Sequence, residues 1–364
     1  MKIDFRTLAN AFLSNIIPYQ LANPVEELGG ELHSTSSIKI ANNENPLGPS
    51  PKALLAAQEA IIKGNIYPDG GYVELKQTLS KFLSLNPNQL TIGNGSENVL
   101  ELIIKAYLHK DDAAVISQYA FLTIPILIKS YGAKAIVVPA NHWGHDIPAM
   151  IKAIDAKTRV LFIVNPNNPT GTYTNTAEFE HLLKSVPPHV LIVVDEAYIE
   201  YISTPDYPNT LSYLCDYPNL VITRTFSKAY GLAALRLGYA VSSPAIADIL
   251  NRARLPFNVN SIAAKAGCAA LNDQEHVRKS LQSNQQGMRQ LEEGLKKLNL
   301  TYIPSIANFI TVEVGDSLAV YQKILREGII VRPLTSYGMP RHIRVTIGMP
   351  EDIERFLKTM GNIL

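Results

Sequence analysis

Three stretches of this chain share one construction: TRVLFIVNPNNPTG from Thr158, HVLIVVDEAY from His189 and NLVITRTFSK from Asn219. Each is a near-continuous apolar run that stops at a polar or charged residue. A strand apolar on both faces belongs in a parallel sheet covered by helices on either side. Helical spacing in AEFEHLLKSV separates the first two runs. LTIGNGSENVLELIIKAYL and AAVISQYAFLTIPILIKSYGAKAIVVPA alternate strand and helix in the same way. The rhythm predicts an α/β fold, a mostly parallel central sheet flanked by helices. Ligands of such sheets bind beyond the carboxyl ends of the strands. After Pro256 the rhythm changes. SIAAKAGCAALND and QEHVRKSLQSNQQGMRQLEEGLKKL read as long helices, the second a surface helix with a narrow apolar stripe. Then NFITVEV, SLAVYQKILREG, IIVRPL, HIRVTIG and PEDIERFLKTMG read as strand, helix, strand, strand and helix. That mixture predicts a smaller α+β domain. An amphipathic helix is expected over Phe5 to Asn15.

Composition narrows the function. The 364 residues allow one large and one smaller domain. Lys and Arg total 33 against 32 Asp and Glu, which calls for neither nucleic acid nor a membrane surface. No apolar run approaches the roughly 18 residues of a membrane span, and the N-terminus has no secretory h-region. Cys215 and Cys268 show no metal spacing and read as reduced thiols of a cytoplasmic protein. No metal site is expected.

The residues at the strand ends carry the chemistry. Lys228 follows LVIT in TRTFSKAYGLAALRLGY, so it stands at a strand end over a pocket. A lysine there can form a Schiff base with an aldehyde if burial or nearby cations lower its pKa. Thr225, Ser227 and the Arg236 fork suit a phosphate. Aldehyde and phosphate together indicate pyridoxal 5′-phosphate. Asp195 ends an apolar strand, where a carboxylate is costly unless paired; a pyridinium nitrogen is such a partner. Tyr198 and Asn168 can reach a phenolate oxygen. Gly95, Ser96 and Glu97 open a helix after a glycine turn, a candidate phosphate cradle. Tyr119 and Phe121 are both candidates to stack on a planar ring. Tyr67 is a phenol on a turn, able to donate to an anion. Arg332 and Arg344 lie on adjacent candidate strands and could form two forks for an anionic substrate. The loop around Asn42, Asn43 and Asn45 follows from its turn chemistry. In domain terms, residues 45–256 are expected to form a large pyridoxal-phosphate-binding domain and 257–364 the small domain, with 1–44 packing against the latter.

SKAYGLAALRLG, NPNNPTG and VVDEAYIEY, in this order and spacing, resemble the fold-type I pyridoxal-phosphate-dependent aminotransferases of the aspartate aminotransferase superfamily. KIANNENPLGPS, IYPDGGYVELKQTLS, SQYAFLTIPI, GIIVRPL and HIRVTIG are similar to the branch that acts on histidinol phosphate in histidine biosynthesis. The resemblance implies a transaminase using histidinol phosphate and 2-oxoglutarate/glutamate. It implies Lys228 as Schiff-base lysine and proton shuttle, and Asp195 at the ring nitrogen. Asn168 and Tyr198 would contact the phenolate, and Gly95, Ser96, Thr225, Ser227 and Arg236 the phosphate. Tyr67 would reach the phosphate of a second subunit, hence a homodimer. It favours Phe121 over Tyr119 for stacking, gives Arg344 the substrate carboxylate and Arg332 its distal phosphate, and adds Tyr19 and Asn45 to the pocket. A relative acting on phenylalanine or tyrosine, a phosphoamino-acid decarboxylase of the same fold and a cofactor-sensing regulator are the alternatives.

Overall fold

The computed structural model describes residues 3–13, 16 and 37–363. In chain order its elements are β1 (Ile38–Lys39), α1 (Pro51–Ile61), α2 (Val73–Leu83), β2 (Leu90–Gly93), α3 (Ser96–Tyr107), β3 (Ala113–Ser117), α4 (Thr123–Ser130), β4 (Lys134–Val138), α5 (Ile147–Lys152), β5 (Thr158–Val164), α6 (Thr176–Ser185), β6 (Leu191–Asp195), β7 (Leu220–Thr225), β8 (Gly238–Ser242), α7 (Pro244–Ala253), α8 (Ser261–Leu271), α9 (Gln274–Lys297), β9 (Tyr302–Ile303), β10 (Phe309–Glu313), α10 (Ser317–Arg326), β11 (Ile329–Ile330), β12 (Arg332–Pro333), β13 (His342–Thr346) and α11 (Pro350–Ile363).

The larger sheet has seven strands in the order β2-β8-β7-β6-β5-β3-β4. β3 to β7 are parallel, and β8 runs antiparallel to both its neighbours. The apolar runs feed two cores because successive strand residues face opposite sides. Leu161, Ile163, Ile192, Val194 and Ile222 join the core on one face, while Val160, Phe162, Val164, Val193 and Val221 join the core on the other. The expected α/β fold is therefore present, with helices covering both faces. The second sheet, β12-β13-β10-β9, is antiparallel and shares a separate core with α9, α10 and α11. β1 pairs in parallel with β11, and Ile40 just after it enters that same core.

Three elements depart from the sequence reading. Among the described residues of the helix expected over Phe5 to Asn15, the helical part is a 3-10 turn, Phe5–Leu8. Phe5 and Leu8 are exposed, so a helix there has no apolar face to bury and too little length to persist alone. IIVRPL is not one strand: Ile329–Ile330 pairs with β1, whereas Arg332–Pro333 pairs with β13. The third is β8, Gly238–Ser242, a strand in a stretch for which the sequence reading offers none. It starts at Gly238, whose Cβ would lie 2.3 Å from Ser96 N, so only glycine lets this strand pass beneath the start of α3.

Candidate active site

The carboxyl ends of β5, β6 and β7 open on one cavity of about 340 Å³, a size at the lower end of small-molecule sites. Asn168, Asp195, Tyr198, Thr225, Ser227 and Lys228 line it from these strand ends. Ser96 and Glu97 of α3, Phe121, Arg236, and Arg344 of β13 close the other sides. Most residues singled out in the sequence thus meet at one place.

Lys228 Nζ donates to the Asn42 carbonyl at 3.0 Å and lies 5.9 Å from the centre of the Tyr198 ring. Burial lowers its pKa to about 8, and the positive charges of Arg344 and Arg236 act in the same direction while Glu44 and Glu97 oppose them. A lysine so placed carries a neutral, nucleophilic amine at a pH where an exposed one does not.

Asp195 is buried and accepts a hydrogen bond from Thr223 Oγ1 at 2.9 Å. Burial raises its carboxyl to about 7 against the Thr223 hydrogen bond; Glu97 and Glu196 push it further up, and Lys228 opposes. An acid held so far above its ordinary range, at the wall of a cavity, suits a cationic partner, and a protonated pyridine nitrogen fits.

At the α3 end, Gly95 has φ +83°, and a Cβ on it would lie 2.6 Å from Arg236 Nη2. The glycine leaves backbone open between the helix N-terminus and the guanidinium, where an anion is stabilised. Arg236 Nη1 lies 3.3 Å from Ser227 Oγ, and Thr225 Oγ1 donates to Ser227 Oγ at 3.0 Å. Glu97 takes a hydrogen bond from Thr123 Oγ1 at 2.9 Å and stands 3.4 Å from Arg236 Nη2. Its carboxylate is thereby paired at the edge of the cradle. Hydroxyls, helix end and guanidinium are a donor set for a phosphate.

On the opposite wall, Arg344 donates to the Asn168 side-chain carbonyl and, at 2.7 Å, to the Ala41 carbonyl. Its register partner across β12 and β13 is Arg332, also buried but outside the cavity lining.

Phe121 lines the cavity, whereas Tyr119 packs on Trp143 at 5.5 Å between ring centres. Tyr67 lies elsewhere: it is 79% exposed and stacks on Phe257 at 4.9 Å. Asn45 does not line the cavity either. Its amide donates to the Ala229 carbonyl at 2.9 Å and to Ser280 Oγ at 2.8 Å. Tyr19 is outside the described residues.

The neighbours of Asn45 take its place. Asn42, Asn43 and Glu44 line the cavity. Asn43 donates from Nδ2 to Tyr198 Oη at 2.8 Å and from its backbone to Thr346 Oγ1 at 2.9 Å. It does so from a left-handed backbone, φ 57°, which asparagine tolerates better than most residues. The density of Asn in this loop was the only sequence signal for it. Among the described residues there is no group of three or more His, Cys, Asp or Glu that could hold a metal ion, and no helix is long and apolar enough to cross a membrane.

Fold and site define an α/β enzyme organised around a buried lysine amine. The family model of aminotransferase class I and II matches residues 35–360, and the chain belongs to that family. It is 52% identical to histidinol-phosphate aminotransferase 2 of Pseudomonas fluorescens (strain Pf0-1), covering 100% of this chain and 99% of that protein. It is 48% identical to histidinol-phosphate aminotransferase 1 of Nitrosococcus oceani, over 99% and 98% of the two chains. Among solved structures, histidinol-phosphate aminotransferase from Sinorhizobium meliloti in complex with pyridoxal-5′-phosphate matches with a TM-score of 0.83 and 27% identity, over 89% of this chain and 90% of that one.

Proposed function

We propose that this chain is a pyridoxal-phosphate-dependent transaminase that interconverts histidinol phosphate and 2-oxoglutarate with the corresponding imidazolyl ketone phosphate and glutamate, in histidine biosynthesis. The observation that carries this reading is the meeting of Lys228, Asp195 and Arg344 in one cavity, in a chain half identical over its full length to proteins so named.

The bound cofactor supplies an aldehyde that takes up the amino group and a ring that stabilises negative charge on the adjacent carbon. The protein does the rest. Lys228 Nζ, whose pKa burial lowers to about 8, takes the proton from the substrate carbon and returns it on the cofactor side. Asp195 holds a proton on the ring nitrogen. Asn168 and Tyr198 orient the ring's phenolic edge, and Asn43 fixes the Tyr198 hydroxyl. Phe121 covers a ring face. Gly95, Ser96, Glu97, Thr225, Ser227 and Arg236 surround the cofactor phosphate, the first two through backbone N–H groups. Arg344 accepts an anionic group of either substrate, carboxylate or phosphate, since a guanidinium fork fits both. Arg332, opposite Arg344 on β12, serves the distal phosphate. The amino group passes in two half-reactions, so the kinetics are ping-pong.

Two wider assignments go with this reading. The enzyme works as a cytoplasmic homodimer, with residues 45–256 binding the cofactor and 257–364 forming a smaller domain. Leu55, Ile62, Ile66 and Tyr67 are exposed apolar groups on α1 and the turn after it, and surface of that kind suits a protein partner. Tyr67, exposed and outside the lining of its own cavity, is the group we assign to the neighbouring site. Borohydride reduction of the loaded enzyme followed by peptide mass analysis tests the lysine. A cofactor-sized addition on the Lys228 peptide is expected; reduction that leaves this peptide unmodified refutes the assignment.

A further inference from the structure

Behind the cavity wall lies a buried charge cluster that none of the steps above uses. β6 and β7 run parallel with Asp195 opposite Thr223. Successive residues face opposite sides, so the ladder gives each of two neighbouring acids its own donor. Thr223 Oγ1 serves Asp195 at 2.9 Å, while Arg224 Nε and Nη2 each reach Glu196 Oε2 at 2.8 Å. Glu196 is fully buried and Arg224 nearly so.

The other oxygen of Glu196 looks toward the turn after β5. Glu196 Oε1 accepts from Thr210 Oγ1 at 2.7 Å and lies 3.5 Å from Tyr207 Oη. The Tyr207 hydroxyl donates to the Asn165 carbonyl at 2.6 Å. Asn165 begins the turn that carries Asn168. Its backbone N–H donates to the Asp195 carbonyl at 2.9 Å, and its side-chain amide is tied to Thr174. The carboxyl at the end of β6 and the amide beyond β5 thus hang on one brace.

The brace is also a charge balance. Asp195 and Glu196 are buried and Glu200 is half-buried; the charges of Glu196 and Glu200 bear on Arg224, with Tyr207 and Tyr239 beside it. Glu97 and Lys228 face Asp195 from α3 and the end of β7. Burial works against the Arg224 charge, yet the Glu196 carboxylate holds its pKa above the ordinary range. Burial raises Glu200 to about 7. Removing one half of such a pair leaves a buried charge uncompensated, whereas replacing both halves by neutral groups restores balance.

We propose that Glu196, Arg224 and Tyr207 are positioning residues that set the charge of Asp195 and the placement of the Asn165–Asn168 turn against the cofactor ring. This rests on Asp195 facing the ring nitrogen, as in the reading above. Glu196→Gln removes the neighbouring carboxylate that helps hold the Asp195 carboxyl up, leaves Arg224 without its counter-charge behind the wall, and loosens the tie through Tyr207 to the Asn165 turn. The double variant Glu196→Gln/Arg224→Gln removes the excess charge.

The experiment compares wild type, the single and the double variant. It measures the dissociation constant for pyridoxal 5′-phosphate, the nitrogen-15 shift of ring-labelled cofactor, and the urea midpoint. The single variant should bind the cofactor about tenfold more weakly, near 1.4 kcal/mol. Its ring-nitrogen signal should move away from the wild-type position, and the double variant should regain most of both. A pair that only fills the core changes the urea midpoint without moving the ring-nitrogen signal, and that result overturns the proposal. Wild-type affinity and signal in the single variant, or no recovery in the double, also overturn it. If the single variant does not accumulate folded, Tyr207→Phe decides: a loss of about threefold or more in cofactor affinity is expected, and an unchanged affinity refutes the brace. A wild-type protein that binds no pyridoxal phosphate overturns the functional reading and this inference together. Indifferent variants of a protein that does bind it overturn this inference alone.

Discussion

Asp195→Asn separates what the carboxyl costs the fold from what it does for the cofactor. Without cofactor, burial holds the Asp195 carboxyl at about 7, against an ordinary 3.8. An unfolded chain ionises the same group near its ordinary value. The folded value is raised, so the penalty is absent below about pH 4, grows as pH rises, and is complete above about pH 7. Roughly three pH units at about 1.4 kcal/mol each set an upper figure of about 4 kcal/mol. Relaxation around a buried charge brings this toward about 2 kcal/mol. Asparagine has nearly the same shape, and its carbonyl can keep the Thr223 donor. Cofactor-stripped Asp195→Asn should therefore be about 2–4 kcal/mol more stable than wild type at pH 8, with only about a third of that gain at pH 5. The same variant loses the partner of the ring nitrogen. A hydrogen bond to a charged group worth about 3 kcal/mol corresponds to about a hundredfold fall in turnover. Urea unfolding followed by ellipticity at the two pH values, with kcat on the reloaded protein, reads both effects. Equal stability at pH 8, or an equal gain at both pH values, refutes the reasoning.

Other sites give sharper single outcomes. The rate at which stripped enzyme captures pyridoxal phosphate should rise with pH through about 8, because the neutral Lys228 amine is the nucleophile; a rate flat across that range contradicts the lowered pKa. Gly238→Ala puts a Cβ 2.3 Å from Ser96 N. It should cost about 1–3 kcal/mol in urea unfolding and weaken cofactor retention, because α3 must move; unchanged retention would show that the helix end is not part of the cradle. Arg344→Lys keeps the charge but loses the fork that spans Asn168 and Ala41. Its KM for anionic substrates should rise about tenfold or more, with a smaller change in kcat. An unaltered KM would remove Arg344 from substrate binding.

Much of the site was legible because it sits where apolar runs stop. In β5, β6 and β7 the sequence changes abruptly from buried to polar, and Asn168, Asp195 and Lys228 follow those breaks. The resemblance to known aminotransferases then divided the substrate's groups between Arg344 and Arg332. The loop after β1 was less legible. Asn43 rather than Asn45 enters the cavity, and the choice depends on a left-handed backbone at Asn43 and on Thr346 as its anchor, 303 residues away in sequence. β8 escaped notice because GYAVS is short and opens on a glycine; its strand character comes from pairing on both sides with β2 and β7. The Glu196–Arg224 pair was invisible for a similar reason. Neighbouring acids on a strand look alike in sequence, and only the register with Thr223 and Arg224 gives them different partners.

Substrate choice is the central claim, and steady-state transamination tests it most directly. Purified enzyme with pyridoxal phosphate and 2-oxoglutarate is offered histidinol phosphate, phenylalanine, tyrosine and aspartate in turn, and kcat/KM is compared. Histidinol phosphate should exceed every other donor by about a hundredfold or more, since the aromatic donors offer no distal anion to Arg332 and aspartate only a shorter one. An equal or higher kcat/KM with phenylalanine or tyrosine would leave the fold and the lysine chemistry standing and contradict the assigned substrate.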